Sequence, residues 1–397
     1  MLEYPDIPKF SHPDANPVKV NMVQHWGFFT AEEVAERPPR LLCMDLDFGR
    51  LCSLNCPTCF RKSNLVDDQK YDDLTYEELL RVIYDALKMG LSQVKICGAG
   101  EPLEYRPLLQ LARDLTARGV GMAVFTKGHV LGDDRHVARV FGEYGIDNAG
   151  DLCREFFELK TSFLVSLQST DAQIQDQLVG GVKGYTAKRN RALELLAEAG
   201  FNKSMPTRLA ICANPMVRNN FDGLFDIFVY ARERNMLPVN AALMVSGKQI
   251  DYDFLEEHDV SPDEKEDLWF RLYDYNLVHG FNTIEQLWRE GLSSMPGIHP
   301  CNQIAVGVYL TCNGTVVRCP GDGGEVPLGN VHDRGIIDIW KGHGDWDFTG
   351  IFNVGCPFKD GITLPEGMYD RVLSRLLDKY PAPAITSDSE KEDHDER

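Results

Sequence analysis

The sequence predicts an α/β protein whose core is a partial (β/α)6 barrel, followed by a C-terminal β-hairpin region. Apolar, strand-like runs alternate with segments whose apolar residues recur at helical spacing. Such alternation is typical of right-handed βαβ units around a parallel sheet. A later run with an Asn-Gly turn has the pattern of an antiparallel hairpin. The chain has 397 residues, which is enough to bury the core of one large domain or two.

Six runs are predicted to be the barrel strands, and they cover residues 41–47, 93–97, 120–125, 162–167, 207–213 and 239–245. The clearest helix follows Thr75, because Thr75-x-x-Glu78 is a capping box ahead of an apolar-periodic run that closes at Gly90. Further helices are expected at about 107–118, 187–199 and 221–234. In a barrel of this kind, active residues lie on the loops at the carboxyl ends of the strands.

Three cysteines follow the first strand-like run in one short loop. Cys52, Cys56 and Cys59 have the spacing C-x3-C-x2-C. Crowded thiolates select soft metal centres such as iron–sulfur clusters, zinc or copper(I). Structural zinc is the main alternative, although zinc normally takes four ligands, commonly as two C-x2-C pairs. Three ligands on a four-iron cluster leave one iron free to bind another molecule.

Composition argues against several classes of protein. The chain is 43% hydrophobic and 25% charged, as expected of a globular protein. Its formal net charge of −19 argues against nucleic acid as the main partner, since phosphate binding needs basic surface. No apolar run approaches the ~18–20 residues of a membrane span, and no secretory signal is visible. Eleven cysteines without such a signal predict a reducing cytoplasm and metal ligation.

The cysteine loop, with aromatic Phe60 directly after its last cysteine, resembles the signature of the radical S-adenosylmethionine (radical SAM) superfamily. Gly98-Ala99-Gly100-Glu101-Pro102, after the second strand, resembles the family's G-G-E-P segment, which receives the methionine amino group of S-adenosylmethionine (AdoMet). Ala99 departs from the second glycine, but backbone contacts remain possible. After the third strand, Thr126-Lys127-Gly128 resembles the family's T-N-G turn, with lysine in place of asparagine.

The resemblance also implies cofactor contacts from later loops. Ser166 and Gln168 follow the fourth strand and could reach the ribose or the carboxylate, although Ser166 could equally be a core hydroxyl bonded to backbone. Arg189 could hold the carboxylate, and Asn214 is a candidate for adenine or substrate contact. The expected cofactor-binding set is Phe60, Gly98, Ala99, Gly100, Glu101, Thr126, Ser166, Gln168, Arg189 and Asn214.

A second group of cysteines lies near the C-terminus. Cys301 and Cys319 flank the predicted hairpin, and Cys356 follows later. Spacing alone favours zinc slightly. However, the Leu-Gly-Asn-Val run at 328–331 and the Ile-Trp pair at 339–340 resemble the auxiliary-cluster region called SPASM, or its shortened form, twitch. The resemblance implies one auxiliary iron–sulfur cluster on these three cysteines, with Cys312 as a possible fourth ligand.

The resemblance implies a specific chemistry. The first cluster would bind AdoMet and, with one electron from reduced flavodoxin or ferredoxin, release a 5′-deoxyadenosyl radical that abstracts hydrogen from the substrate. The auxiliary cluster favours oxidation of a small polar metabolite such as a sugar, aminocyclitol or nucleoside. A redox-neutral epimerisation, with Cys312 as hydrogen donor, is an alternative. Modification of a ribosomally made peptide is another, less favoured because the N-terminal extension is shorter than the ~80 residues of a peptide-recognition domain. A zinc scaffold or an iron–sulfur electron carrier would be non-enzymatic alternatives.

The expected organisation has five parts. They are an N-terminal extension (1–40), a radical SAM partial barrel (41–250), a helical bridging segment (251–300), a SPASM/twitch-like region (301–358), and a C-terminal helix with an acidic tail (359–397).

Overall fold

The structure is a computed structural model. It describes residues 6–7, 29–30, 33–34, 40–59, 70–243, 252–293, 296, 298, 300–322, 326–344, 356 and 358–381. Most of the N-terminal extension, the acidic tail and Phe60 lie outside these residues.

Six parallel strands form the centre of the fold, as predicted. They are β1 (Cys43–Asp47), β2 (Gln93–Gly98), β3 (Gly121–Thr126), β4 (Ser162–Ser166), β5 (Leu209–Cys212) and β6 (Leu237–Val239). Each strand pairs with the next one along the chain, so that their carboxyl ends meet at one edge. The α/β class and the parallel sheet are therefore confirmed.

Helices alternate with these strands and continue beyond them. Those in the barrel are α1 (Tyr76–Leu87), α2 (Pro107–Thr116), α3 (Asp134–Phe141), α4 (Ala149–Glu158), α5 (Ala172–Leu178), α6 (Tyr185–Ala199) and α7 (Leu224–Arg232). Those that follow are α8 (Tyr252–His258), α9 (Pro262–Val278), α10 (Ile284–Glu290), α11 (Gln303–Val306), α12 (Ile336–His343) and α13 (Met368–Lys379). Short 3-10 turns lie at Pro102–Glu104, Gly142–Tyr144 and Phe221–Gly223.

The predicted capping box at the start of α1 is present. Glu78 N donates to Thr75 Oγ1 (3.2 Å), and Thr75 N donates to Glu78 Oε2 (2.9 Å). These reciprocal bonds satisfy two backbone donors that a helix start otherwise leaves unpaired.

The two faces of the barrel sheet differ in character. On β1, Met44 and Leu46 belong to the large core formed with the surrounding helices. The alternate positions point to the opposite, inner face. On β3, β4 and β5 that face carries Ala123, Leu164 and Ala210, which form a separate small apolar cluster with β6. The inner face therefore belongs to the barrel interior, where a ligand would bind.

The predicted C-terminal hairpin is also present. Strands β7 (Gly307–Leu310) and β8 (Thr315–Val317) pair antiparallel, and β9 (Gly329–Asn330) pairs antiparallel with β8. Gly314 in the turn has a φ of +81°, a conformation that favours glycine. Unexpectedly, β7 also pairs in parallel with β1, so the hairpin extends the barrel sheet at its first strand.

Two predictions about the barrel elements need correction. The sixth strand lies at Leu237–Val239, whereas the prediction was 239–245; residues 240–243 are not in a strand, and residues 244–245 lie outside the described residues. Pro238 lies within this strand, and β6 is at the edge of the sheet formed by the described strands, where proline is tolerated. Helices α3, α4 and α5 were not predicted. Across the described residues, no helix combines the length and the apolar character needed to cross a membrane.

Candidate active site at the carboxyl edge of the barrel

The cysteine loop and the glycine segment after β2 are joined by backbone hydrogen bonds. Gly100 N donates to Gly49 O (2.9 Å), and Glu101 N donates to Leu51 O (2.7 Å). A Cβ atom at Gly100 would lie 2.0 Å from Leu51 O, so no side chain fits there. This close approach explains why glycine is required, and it fixes the first cysteine beside the predicted AdoMet-binding segment.

The other side of the cysteine loop rests on the chain after α5. Asn55 N donates to Val179 O (3.3 Å). Gly180, with a φ of +89°, approaches so closely that a Cβ atom would lie 2.5 Å from Asn55 O. The loop is therefore held between two glycine-containing segments.

Ser53, between the first two cysteines, is anchored by a carboxylate. Its amide and hydroxyl both donate to Glu104, at distances from 2.5 to 3.1 Å. His129 Nε2 lies 3.1 Å from Glu104 Oε1 and 3.1 Å from Ser53 Oγ. Burial opposes ionisation of Glu104, but the hydrogen bonds from His129 and Ser53 outweigh it and lower its pKa to about 2.

Glu101 is a structural link between the β2 and β3 loops. It is buried and accepts hydrogen bonds from Thr126 Oγ1 (2.6 Å), Lys127 N (2.8 Å) and Leu103 N (3.3 Å). Burial raises its pKa. Both Glu101 and Thr126 were predicted to bind the cofactor. The structure brings them to the expected edge, and their side chains bond to each other.

Lys127 is a site residue that the sequence analysis noted only as a departure from the T-N-G pattern. Its Nζ donates to Ser166 Oγ (3.0 Å) and to Gln168 Oε1 (3.2 Å). Burial disfavours its charge, but electrostatic interactions with neighbouring groups, Cys56 and Cys59 among them, raise its pKa. A cation therefore stands between the cysteine loop and the two polar residues after β4. A lysine in place of a neutral amide was the signal that could have identified it.

Arg189 is fully buried beneath the β4 loop. Its Nη1 donates to Ser166 O (3.1 Å) and Gln175 Oε1 (3.1 Å). Its Nη2 is buried and has no hydrogen-bond partner among the described residues. An anionic group of a ligand would satisfy that donor.

Asn214 lies after β5, as predicted, and its side-chain oxygen accepts a hydrogen bond from the Ala241 amide. Gln168 Nε2 donates to Asn214 O (2.6 Å), so the β4 and β5 loops are linked. Asn214 therefore helps to hold the start of the chain after β6.

The three C-terminal cysteines lie close enough to influence one another. Burial, followed by the charges of Cys356 and Cys301, raises the pKa of the Cys319 thiol. Gln303 N donates to Cys301 Sγ (3.4 Å), and Gly321 N donates to Cys319 Sγ (3.3 Å). Amide groups that donate hydrogen bonds to sulfur are a feature of iron–sulfur sites, where they tune the reduction potential of the cluster.

Cys312 lies beside the glycine segment that adjoins the loop of Cys52, Cys56 and Cys59. It is buried, its Sγ accepts a hydrogen bond from the Ala99 amide, and its carbonyl accepts one from Leu74 N (2.7 Å). Burial, followed by the charges of Asp47 and Asp73, raises its pKa to about 12. Cys312 thus lies beside the glycine segment that was predicted to bind AdoMet.

The inner face of β1 and β2 carries charged groups. Lys95 Nζ lies 2.9 Å from Asp45 Oδ1 and donates to Gln303 Oε1 (3.0 Å). Tyr309 on β7 donates to Asp47. Burying an unpaired charge destabilises a protein. The Lys95–Asp45 ion pair is nearly excluded from solvent, and each charge is paired with the other.

The donor chemistry fits the expected clusters. Among the described residues, no three histidine, cysteine or acidic side chains already stand in a metal-binding geometry. A preformed site is not required, because metal binding commonly completes the arrangement of its ligands. Two sets of three thiols, with backbone amides directed at several of the sulfurs, suit iron–sulfur centres better than hard cations.

A comparison with family models identifies the barrel. The model described as "Radical SAM superfamily" matches residues 46–217. Residues 46–217 form a radical SAM domain. The match runs from the end of β1 to the loop after β5, and it includes the cysteine loop and the glycine segment. This match assigns residues 46–217, rather than the whole chain, to the radical SAM superfamily, whose cofactors are AdoMet and a [4Fe–4S] cluster.

Three curated relatives match parts of the chain. The chain is 28% identical over 163 residues to the PqqA peptide cyclase of Granulibacter bethesdensis, covering 41% of the chain and 38% of the relative. It is 28% identical over 103 residues to the tungsten-containing aldehyde ferredoxin oxidoreductase cofactor-modifying protein of Pyrococcus furiosus, covering 26% and 28%. It is 27% identical over 139 residues to a probable GTP 3′,8-cyclase of Pyrococcus horikoshii, covering 34% and 40%. The chain thus spans about two fifths or less of the length of these relatives.

Solved structures show the fold over a larger part of the chain. Native anSMEcpe with bound AdoMet has a TM-score of 0.57 at 14% identity, covering 85% of this chain and 96% of that one. The same protein with AdoMet and the Cp18Cys peptide has a TM-score of 0.54 at 14% identity, covering 86% and 96%. This likeness extends the shared fold beyond the radical SAM domain.

Proposed function

We propose that this radical SAM enzyme oxidises a polar substrate, such as a sugar, aminocyclitol or nucleoside, bound inside the barrel. The observation that carries the proposal is the joining of the cysteine loop to the glycine segment at the carboxyl edge of the sheet. When bound, AdoMet and its cluster supply a 5′-deoxyadenosyl radical that removes hydrogen from an unactivated C–H bond. The protein's part is to hold, orient and shield the reacting groups.

In this proposal, Cys52, Cys56 and Cys59 are the ligands of the AdoMet-binding cluster. The backbone of residues 98–101 receives the methionine amino group. Phe60 remains part of the proposed cofactor-binding set, and Asn214 contacts adenine or substrate through its Nδ2 group because its Oδ1 already accepts the Ala241 amide.

The anionic and hydroxylated parts of AdoMet are assigned to the β3 and β4 loops. Lys127 donates to Ser166 and Gln168, so one charge orders both polar side chains. The buried Nη2 group of Arg189, which has no hydrogen-bond partner among the described residues, would be a further donor to the ligand. Two cationic side chains of this kind favour a carboxylate.

The substrate class is inferred from the inner face of the barrel. The Asp45–Lys95 ion pair and the Tyr309–Asp47 hydrogen bond place charged and hydroxyl groups where an apolar substrate would leave them poorly satisfied. Amino and hydroxyl groups of a small polar metabolite would complement them.

A second candidate is modification of a peptide. One observation favours it, since the curated relative from Granulibacter bethesdensis is a PqqA peptide cyclase. The matching Pyrococcus horikoshii protein is instead a probable cyclase of GTP, a small molecule. Both substrate classes therefore belong in the same screen.

We assign a second iron–sulfur centre to Cys301, Cys319 and Cys356, within a SPASM/twitch-like region at about 301–358. Oxidation of a substrate releases an electron, and these residues provide a site for its acceptor. The alternative reaction is a redox-neutral epimerisation, in which Cys312 would be the hydrogen donor rather than a fourth cluster ligand, because its thiol contacts the Ala99 amide.

The decisive experiment is anaerobic reconstitution followed by two assays. Iron, sulfide and zinc analysis tests the metal content, and 5′-deoxyadenosine formation with dithionite tests the activity. We expect four-iron clusters whose spectrum changes with AdoMet, and AdoMet cleavage that a true substrate accelerates. If the protein contains zinc and no iron, the enzyme proposal is wrong and the protein is a zinc scaffold. If it contains iron–sulfur clusters but does not cleave AdoMet, it is an electron carrier. Polar metabolites and peptides are screened side by side.

A further inference from the structure

A surface cavity of about 330 Å³ lies directly beside the cysteine loop. Ser53, which stands between Cys52 and Cys56, forms part of its wall. The rest of the wall comes from the chain around α3 and the start of α6. We call this region the basic cavity, and it is lined by Ser53, His129, Asp133, Arg135, His136, Arg139, Val182, Lys183, Tyr185 and Lys188.

The charge of the basic cavity is opposite to that of the chain. The whole protein has 60 acidic and 41 basic residues. The cavity has four exposed cations, Arg135, Arg139, Lys183 and Lys188, against one carboxylate, Asp133. Only Lys188 is neutralised locally, by Asp133 at 2.7 Å.

The other three cations are available to a partner. Among the residues that the structure describes, Arg135, Arg139 and Lys183 have no carboxylate within ion-pair distance. Arg135 and Arg139 are four residues apart on α3, so they lie on the same helix face. Asp133 caps this helix by accepting from Arg135 N (3.1 Å) and His136 N (3.2 Å), which stabilises the start of the helix that carries both arginines.

The basic cavity is connected to the cluster ligands by ordered contacts. His129 is in its wall and lies 3.1 Å from Ser53 Oγ and from Glu104 Oε1. Ser53 in turn is bonded through its amide to Glu104. A molecule bound in the cavity would therefore sit against the segment that joins two cluster ligands.

We propose that the basic cavity is the docking surface for a small acidic redox protein that reduces the cluster held by Cys52, Cys56 and Cys59. This inference rests on the proposed function of those cysteines. The donor loses one electron, the cluster gains it, and no covalent bond changes. Because the chain has a net charge of −19, an acidic donor is repelled by most of its surface and attracted to this one region.

The test compares two reductants on the reconstituted full-length enzyme. R135E/R139E reverses the two unpaired arginines, and R81E/K203E makes the same change in net charge at exposed positions away from the cavity. Lys203 lies beyond the far end of α6. The rate of cluster bleaching is measured by stopped flow with reduced flavodoxin and, separately, with dithionite. R135Q/R139Q provides a milder version if charge reversal impairs cluster assembly.

We expect R135E/R139E to slow reduction by flavodoxin by at least roughly 10-fold, a typical loss when electrostatic steering is removed. Reduction by dithionite should stay unchanged, and R81E/K203E should behave like wild type with both reductants. Added salt should slow wild type more than the variant. Equal rates for wild type and R135E/R139E with flavodoxin would overturn the inference, as would an equal loss in R81E/K203E. If dithionite reduces no cluster even in wild type, the proposed function fails instead.

Discussion

The two groups of cysteines are built in different ways. Cys52, Cys56 and Cys59 belong to one short loop, which backbone hydrogen bonds hold from both sides. Cys301, Cys319 and Cys356 come from three separate segments, before α11, after β8 and before α13. The first group is brought together by local chain geometry, whereas the second depends on the folding of the whole C-terminal third. Bringing the cysteines of the local group together costs little loop-closure entropy, whereas bringing together the cysteines of the distributed group costs more.

The largest effect should come from removing one proposed ligand of each group. C56A should abolish the AdoMet-binding cluster and reduce 5′-deoxyadenosine formation to background. C301A should leave AdoMet cleavage within about twofold of wild type, because the two groups are separate, while product formation is lost. Iron analysis, electron paramagnetic resonance and product chromatography measure all three outcomes. Loss of AdoMet cleavage in C301A would mean that the two groups depend on each other.

The next largest effect should come from a substitution at Gly100, whose backbone lies against Leu51 in the loop that carries the first cysteine group. In G100A, the new Cβ would meet Leu51 O at 2.0 Å, so the cysteine loop must move. We expect a loss of about 3 kcal/mol in the free energy of unfolding, together with weaker AdoMet binding. Urea denaturation measures the first and equilibrium dialysis the second.

A matched control exists in the C-terminal part of the chain. Gly335 precedes α12 with a φ of −59°, and a Cβ atom there meets nothing within 4 Å. G335A should change stability by less than about 1 kcal/mol. If G100A were equally mild, the loop would be less constrained than the distances imply.

A smaller effect should follow from the charge beside the first group. K127M removes the cation that donates to Ser166 and Gln168. We expect AdoMet to bind roughly 10-fold more weakly, about 1.4 kcal/mol, because a charge-assisted hydrogen bond is lost. K127R should restore most of the affinity, and the spectrum of the auxiliary centre should not change in either variant. AdoMet affinity equal to wild type in K127M would remove Lys127 from the site.

The smallest effect is a pH dependence specific to the first group. Glu104 anchors Ser53, and its pKa is lowered to about 2. A depressed carboxyl pKa stabilises the folded state above the unfolded pKa of about 4.3, and this contribution is lost as pH falls toward the folded value. E104Q should therefore cost about 1–2 kcal/mol of unfolding free energy near pH 7 and less near pH 4. Urea curves for wild type and E104Q at the two pH values test this, and a difference that grows at lower pH would contradict it.

The sequence predicted those features that depend on local pattern. The cysteine spacing, the Thr75–Glu78 capping box, the Asn313-Gly314 turn and five of the barrel strands could all be recognised within a few neighbouring residues. The sixth strand was misplaced because Pro238 is acceptable only at a sheet edge, and edge position is not visible in a sequence.

The parts that could not be predicted depend on tertiary contacts. Nothing near Lys127 in sequence indicates that its ammonium reaches Ser166 and Gln168, about forty residues later. Likewise, Cys312 is close in sequence to Cys319 yet contacts Ala99. Chain neighbours on a hairpin can point to opposite sides of a sheet, so sequence distance was a poor guide to which group Cys312 joins.

The parallel pairing of β7 with β1 has a consequence for how the protein is made. Strand β1 leaves the ribosome early, but its neighbour begins only at Gly307. During synthesis its unpaired edge, a hazard for association with other chains, stays open until most of the polypeptide exists. Pairings between such distant segments also form slowly. An excised barrel of residues 41–250 would keep that edge open permanently, so we expect it to aggregate where the full chain does not.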